Sequence, residues 1–210
     1  MASRLLYVMD PMCSWCWGFA PVAEALAEQA AGAGVATELV VGGLRRDRQP
    51  VDDAARARYL GYWQAVNAAT GQHFDYQLGL PDGMVYDTEP ACRALVAARR
   101  VDDGAAWGLL REIQTAFYTR GADVSRASVL VQLAERAGIK RAAFAEAFDS
   151  PAVYQATLDE FGWVQDLGIA GFPTLLAERD GQLALLTNGY QPLERLAPLL
   201  GRWLERAAHV

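Results

Sequence analysis

The sequence predicts an α/β protein with a βαβ unit at its start, an all-helical block in its middle and a ββα unit at its end. Three observations carry that prediction. A short apolar run, a stretch with one apolar helical face and a β-branched run follow one another before Gly43. From about Val51 to Leu167, apolar residues recur at helical spacing with almost no strand pattern. Beyond Leu167 two strand-like runs flank Arg179-Asp180-Gly181-Gln182. The two outer parts, residues 1–48 and 168–210, are expected to combine into one small sheet, with 49–167 as a helical insertion domain.

The elements follow in order. Leu5 to Met9 is apolar on both faces and reads as a buried strand. From Cys13 to Ala31, Trp17, Val22, Leu26 and the alanines make a helical apolar face. Pro21 inside that helix is expected to kink it, and Gly32 and Gly34 end it. Val35 to Val41 reads as a second strand closed by Gly42-Gly43, with a right-handed crossover between the strands. Arg45-Arg46-Asp47-Arg48 reads as a solvated loop.

Tyr59, Trp63 and Val66 mark a helix, and Gly71 to Tyr86 reads as a long loop. Thr88 is placed as an N-cap ahead of Glu89-Pro90. Trp107 to Phe117, Val129 to Leu133 and Phe144 to Phe148 give further helices, and Ser150-Pro151 opens another that runs to Leu167. Thr174 to Ala177 and Leu183 to Thr187 form a hairpin about Asp180-Gly181. A last helix carries Leu193, Leu196, Leu200, Trp203 and Leu204, with a kink expected at Pro198.

At 210 residues and 52% hydrophobic content, the chain can bury a full core without disulfide staples. The same content excludes intrinsic disorder. With 19 basic against 25 acidic residues, the net charge of −6 argues against a nucleic-acid partner. No apolar run is long enough to span a membrane, and too few apolar residues precede Asp10 for a secretory signal. A cytoplasmic location is therefore expected, where three cysteines are not a structural disulfide framework.

Cys13-Ser14-Trp15-Cys16 follows the first strand and opens the first helix. A dithiol switch needs that location. The thiolate is the nucleophile, and a helix N-terminus offers unpaired N–H groups and partial positive charge. Two intervening residues put both sulfurs on one turn. Cys13 is thus assigned as the outward, attacking thiol and Cys16 as the thiol that resolves the mixed disulfide. A zinc site would need two more ligands, and Cys92, His73 and His209 lack metal-ligand spacing, so no metal is expected.

Four blocks together resemble the DsbA-like family of thioredoxin-fold thiol–disulfide oxidoreductases, and within it the FrnE-like branch of predicted protein-disulfide isomerases. They are Asp10-Pro11-Met12-Cys13-Ser14-Trp15-Cys16-Trp17-Gly18, Gly42-Gly43-Leu44, Tyr86 to Ala94, and Gly168 to Thr174. The resemblance implies a thioredoxin fold interrupted by helices. It also implies that Pro173 is a cis proline facing the cysteines, and that the backbone of Phe172 pairs with a protein or peptide substrate. Ser14 and Trp15 would contact that substrate. No prosthetic group is required; electrons would pass to or from another thiol system, such as glutathione or thioredoxin. Strongly oxidising members carry His before the second cysteine. Trp15 stands there in this chain and brings no cation, which implies a more reducing couple.

Beside these stand blander readings. Asp10 reads as a solvated loop or capping residue, Cys92 as a small buried apolar residue, His73 as a surface residue and His209 as frayed. Trp17 and Phe19 read as core. Two other functions also stay open. One is a glutathione-dependent transferase or isomerase of the kappa or hydroxychromene-carboxylate isomerase type, although those carry Ser where this chain has Cys13. The other is a holdase whose cysteines act only as a redox switch.

Overall fold

Both faces of β1 (Ser3–Met9) are apolar, and the structure uses both. Leu5, Tyr7 and Met9 point into the main core, while Leu6 and Val8 point into a second, smaller one. That places β1 inside the sheet, as the doubly apolar sequence requires. The computed structural model describes residues 3–208; His209 lies outside them.

The sheet has the order β2-β1-β5-β6. Strand β2 (Ala36–Val41) runs parallel to β1, β5 (Thr174–Arg179) antiparallel to it, and β6 (Gln182–Asn188) antiparallel to β5. Asp180 and Gly181 join β5 to β6 with φ of 51° and 78°, the paired positive values of a type I′ hairpin turn. Register shifts between Leu175 and Leu176, so Leu186 is the extra residue of a bulge. One face of the sheet is covered by α1 (Ser14–Gly32), on which α8 (Leu193–Ala208) packs. On the other face Val164 of α7 (Pro151–Asp166) joins Leu6, Val8, Val40 and Leu176.

Between β2 and β5 lie α2 (Asp53–Thr70), α3 (Glu89–Val101), α4 (Ala106–Arg120), α5 (Ala127–Arg136), α6 (Arg141–Asp149) and α7. Their apolar faces continue the main core without a break, from Leu5 and Phe19 to Leu95, Phe117 and Phe144. Ser150 caps α7 as its position before Pro151 predicts, accepting from Ala152 N.

Several expectations need correction. Arg45 to Arg48 is not a solvated loop: β3 (Arg46–Pro50) pairs antiparallel with β4 (Val85–Asp87) in a separate two-stranded ribbon. Four of the five β3 residues are exposed, so the segment has no apolar alternation to reveal it. The expected domain boundary at residue 48 falls inside this strand. Thr88 does stand at the N-cap of α3, but its side chain does not cap. Its hydroxyl bonds the Arg45 carbonyl instead, and Asp87 Oδ1 accepts from Glu89 N. Pro21 and Pro198 lie inside α1 and α8, which continue past them, as a kinked helix does.

Candidate active site

Strand β1 delivers the chain to the cysteines through a tight turn. Asp10 Oδ1 accepts from Met12 N at 2.8 Å, and Asp10 O accepts from Cys13 N at 3.0 Å. Cys13 is the N-cap of α1, with extended dihedrals of −83° and 116°. Its carbonyl closes the first helical turn by accepting from Trp17 N. The thiol makes no capping bond. It donates across the site to the Phe172 carbonyl, with sulfur and oxygen 3.7 Å apart.

Cys13 and Cys16 are therefore neighbours in different surroundings. Cys16 is fully buried, and burial, with the adjacent Cys13 thiol adding to it, pushes its pKa well above the ordinary thiol value. Cys13 is 6% exposed and lines an open cavity of about 290 Å³. Met12, Cys13, Ser14 and Trp15 form one wall of that cavity, and Gly171 and Phe172 a second. Leu44, Arg45, Tyr59, Tyr62, Trp63 and Tyr86 close the far side. Tyr86 is fixed by donating to the Met12 carbonyl at 2.7 Å.

The Phe172–Pro173 peptide is cis. This loop is held by Gly189 N donating to the Pro173 carbonyl at 2.7 Å, and by the Thr174 hydroxyl donating to the Gly171 carbonyl at 2.9 Å. The Phe172 ring packs over Gly42, where any Cβ would lie 2.0 Å from it. Glycine at that position is thus what lets the loop approach the cysteines. Gly43 beside it has φ +66°, a value that a side chain rarely adopts.

The structure brings Cys13, Ser14, Trp15 and Phe172 to one cavity and buries Cys16 behind it. Trp15 is half-buried and meets Tyr190 at 6.0 Å between ring centres. Trp17 and Phe19 are core, as expected. His73 is exposed and contributes only its carbonyl, which accepts from Trp17 Nε1.

Asp10 departs from the reading of a solvated loop, for it is wholly buried. Its Oδ2 accepts from Leu44 N at 2.7 Å and from the Cys92 thiol at 3.3 Å. Cys92 is buried as expected, yet its neighbour is a carboxyl rather than apolar packing alone. Burial raises the Cys92 pKa well above the ordinary value, with the Asp10 charge adding to it. Tyr62 and Tyr190 are site residues that the sequence did not single out, and Arg45, read there as part of a solvated loop, lines the cavity. Tyr86 and Leu44 lay within the resembling blocks but carried no assigned role.

The sequence profile of the DSBA-like thioredoxin domain matches residues 4–201. This chain belongs to that family. The DSBA-like protein is 38% identical to a proposed protein disulfide isomerase from Nitrosomonas europaea, with a TM-score of 0.92 over 98% of this chain and 99% of the other. It is 33% identical to the cytosolic disulfide reductase DsbM from Pseudomonas aeruginosa, TM-score 0.79, covering 95% and 98% of the two chains. A structure of DsbM with GSH aligns at 28% identity and TM-score 0.76, over 99% and 100%. A 2-hydroxychromene-2-carboxylate isomerase, 15% identical with TM-score 0.65 over 98% of each chain, shares the fold alone. No curated protein sequence matches significantly.

Among the described residues, no group of three or more His, Cys, Asp or Glu is placed to hold a metal, and no helix is long and apolar enough to cross a membrane.

Proposed function

We propose that this DSBA-like protein is a cytosolic thiol–disulfide oxidoreductase that works through the Cys13–Cys16 dithiol, principally as a reductase. The observation that carries the reading is the contrast between the two thiols. Cys13 opens on an apolar cavity beneath the Phe172 carbonyl, while Cys16 is sealed in the core next to it.

In the reducing direction the Cys13 thiolate attacks one sulfur of a disulfide and releases the other as a thiol. Cys16 then attacks the Cys13 sulfur. The Cys13–Cys16 bond forms, the second thiol leaves, and two electrons have passed to the substrate. Phe172, whose carbonyl accepts from the Cys13 thiol in the resting site, is positioned to meet the incoming chain instead. Pro173 holds that loop in place. A second thiol system re-reduces the pair. Glutathione fits this role, given the similarity to a reductase whose structure carries GSH.

The test is to assay insulin-disulfide reduction and oxidative refolding side by side for the unaltered chain and Cys13→Ala. Reduction that Cys13→Ala abolishes supports the reading. Folded protein without activity in either assay removes it. Cys16→Ala is expected to accumulate a mixed disulfide at Cys13, detected by mass.

A further inference from the structure

Two buried polar groups behind the cysteine pair have no partner in the protein. They are the Tyr7 hydroxyl of β1 and the Gln114 side-chain nitrogen of α4. Both line one small cavity between β1, α1 and α4. Ala20 and Ala23 leave it room, and the Trp107 ring, stacked on Tyr7 at 5.9 Å between centres, walls one side. Its volume is about 20 Å³, and a single water needs about 10–15 Å³. Glu24 and Arg111 line its outer end, paired at 3.0 Å and both partly open to solvent.

On the inner side the Tyr7 hydroxyl lies against the Cys16 thiol. Burial first, and then the charge of Cys16 and of Cys13, push the Tyr7 pKa well above its ordinary value, so the hydroxyl keeps its proton. Packing explains the Tyr7 ring, which meets Phe19 and Trp107. It does not explain the oxygen, because phenylalanine would fill the same core without a costly unpaired hydroxyl. A hydroxyl both accepts and donates, whereas an amide nitrogen only donates. One water that accepts from Tyr7 and from Gln114 satisfies both, and its own protons remain for Glu24.

Cys16 needs such a route. It is sealed in the core, and burial raises its pKa well above the ordinary value, so it must give up its proton as it attacks. The buried carboxyl nearby, that of Asp10, already accepts from Met12 N, Leu44 N and the Cys92 thiol.

We propose that Tyr7 and one water in this cavity carry the Cys16 proton out of the core, with Gln114 holding the water and Glu24 receiving the proton at the surface. This rests on the oxidoreductase reading and supplies the proton path of its second step. In that step the Cys13–Cys16 bond forms and the bond from Cys13 to the substrate sulfur breaks. Over both steps the dithiol gives up two electrons, which leave on the two substrate thiolates. The Cys16 proton passes to the Tyr7 oxygen as the Tyr7 proton passes to the water and a water proton to Glu24, so Tyr7 ends neutral. The ionisable groups around Cys16 and Tyr7 are Cys13, Asp10, Tyr118, Glu24 and Arg111.

The experiment mixes the full chain, reduced and freed of reductant, with the symmetrical disulfide of thionitrobenzoate. One coloured thiolate leaves when Cys13 attacks, at a rate that rises with reagent. The second leaves when Cys16 attacks, at a rate that does not. Neither leaving group takes up a proton, so the proton that moves in the second step is that of Cys16. Tyr7→Phe is expected to keep the first rate and to slow the second about tenfold or more, as loss of one hydrogen bond to a forming thiolate supports. The rise of the second rate with pH moves to higher pH in the same variant. Gln114→Met, which fills the place of the water, slows the second release as well, and the double variant is no slower than Tyr7→Phe alone.

A second rate unchanged in folded Tyr7→Phe but slowed in Asp10→Asn overturns the proposal and gives the proton to Asp10. Equal slowing of both releases by Tyr7→Phe also overturns it, since that marks a packing defect. If Tyr7→Phe fails to fold, Gln114→Met decides, and a native second rate there overturns the proposal. No release at all from folded, reduced protein overturns the oxidoreductase reading itself.

Discussion

Asp10 carries three hydrogen bonds on two oxygens inside the core: from Met12 N, from Leu44 N and from the Cys92 thiol. Burial raises its pKa above the ordinary 3.8, while the nearby Thr88 hydroxyl and the bonds from Leu44, Met12 and Cys92 pull it back in part. A carboxyl whose folded pKa exceeds its unfolded one holds its proton more tightly in the fold. Its contribution to stability is therefore full below the ordinary carboxylate value and is lost as pH rises through the raised one. Asn at this position cannot ionise. It keeps an acceptor for one amide but turns an NH₂ toward another donor, so Asp10→Asn is less stable overall. Urea midpoints of the two proteins, compared from about pH 3.5 to about pH 7, are expected to show the native chain losing its advantage as pH rises. A constant difference across that range would refute the buried-charge account. The cysteine pair was legible because its chemistry is local, four consecutive residues at the head of a helix. Asp10 was not, because two of its three donors come from Leu44 and Cys92, and nothing near Asp10 in sequence announces them.

The segment after β2 shows the same limit at the scale of an element. Gly42-Gly43 was legible as the end of a strand, but the reason for glycine lies in rings brought from elsewhere. A Cβ on Gly42 would meet Phe172 at 2.0 Å, and one on Gly43 would meet Phe161 at 2.8 Å. Gly42→Ala must push the Phe172 ring aside, and overpacking of this kind costs about 1–3 kcal/mol. Because the Phe172 carbonyl faces the Cys13 sulfur, the same shift disturbs the cleft. Slower mixed-disulfide formation, by about tenfold or more, is expected alongside the stability loss, since small displacements at a reacting centre weigh heavily on rate. Stopped-flow exchange and urea melts check the two parts. A variant with native midpoint and native rate would show that the ring moves away freely. Strands β3 and β4 were missed for a related reason. Their pairing, Arg46 opposite Asp87 and Pro50 opposite Val85, joins a polar segment to one of only three residues across α2 and the loop after it, and it leaves no alternation to read.

For the molecule as a whole, the interrupted order of strands was readable from sequence, because both halves carry their own strand and turn signals. How the helices close onto the sheet was not. Strand β2 is an edge strand, and exposed edge groups need partners. Two of them receive side chains from the helical segment. Arg99 of α3 donates to the Leu39 carbonyl at 2.6 Å, and Glu160 of α7 accepts from Val41 N at 2.9 Å. Arg99 and Glu160 also pair with each other, each about four-fifths buried. With this latch, and with apolar packing running unbroken from β1 to α6, the helices and the sheet are expected to unfold together. Glu160→Ala leaves the Val41 amide without its partner and Arg99 without its counter-charge. The expected cost is about 2–3 kcal/mol, below the full value for a sealed ion pair because both groups retain some access to water. Thermal melts followed by far-ultraviolet circular dichroism and by tryptophan fluorescence are expected to coincide in both proteins, with the variant shifted to lower temperature. Trp63 and Trp107 report on the helical segment and Trp15 on the cysteine helix, so a helical segment that melts apart from the sheet would separate the two signals and break the proposed coupling.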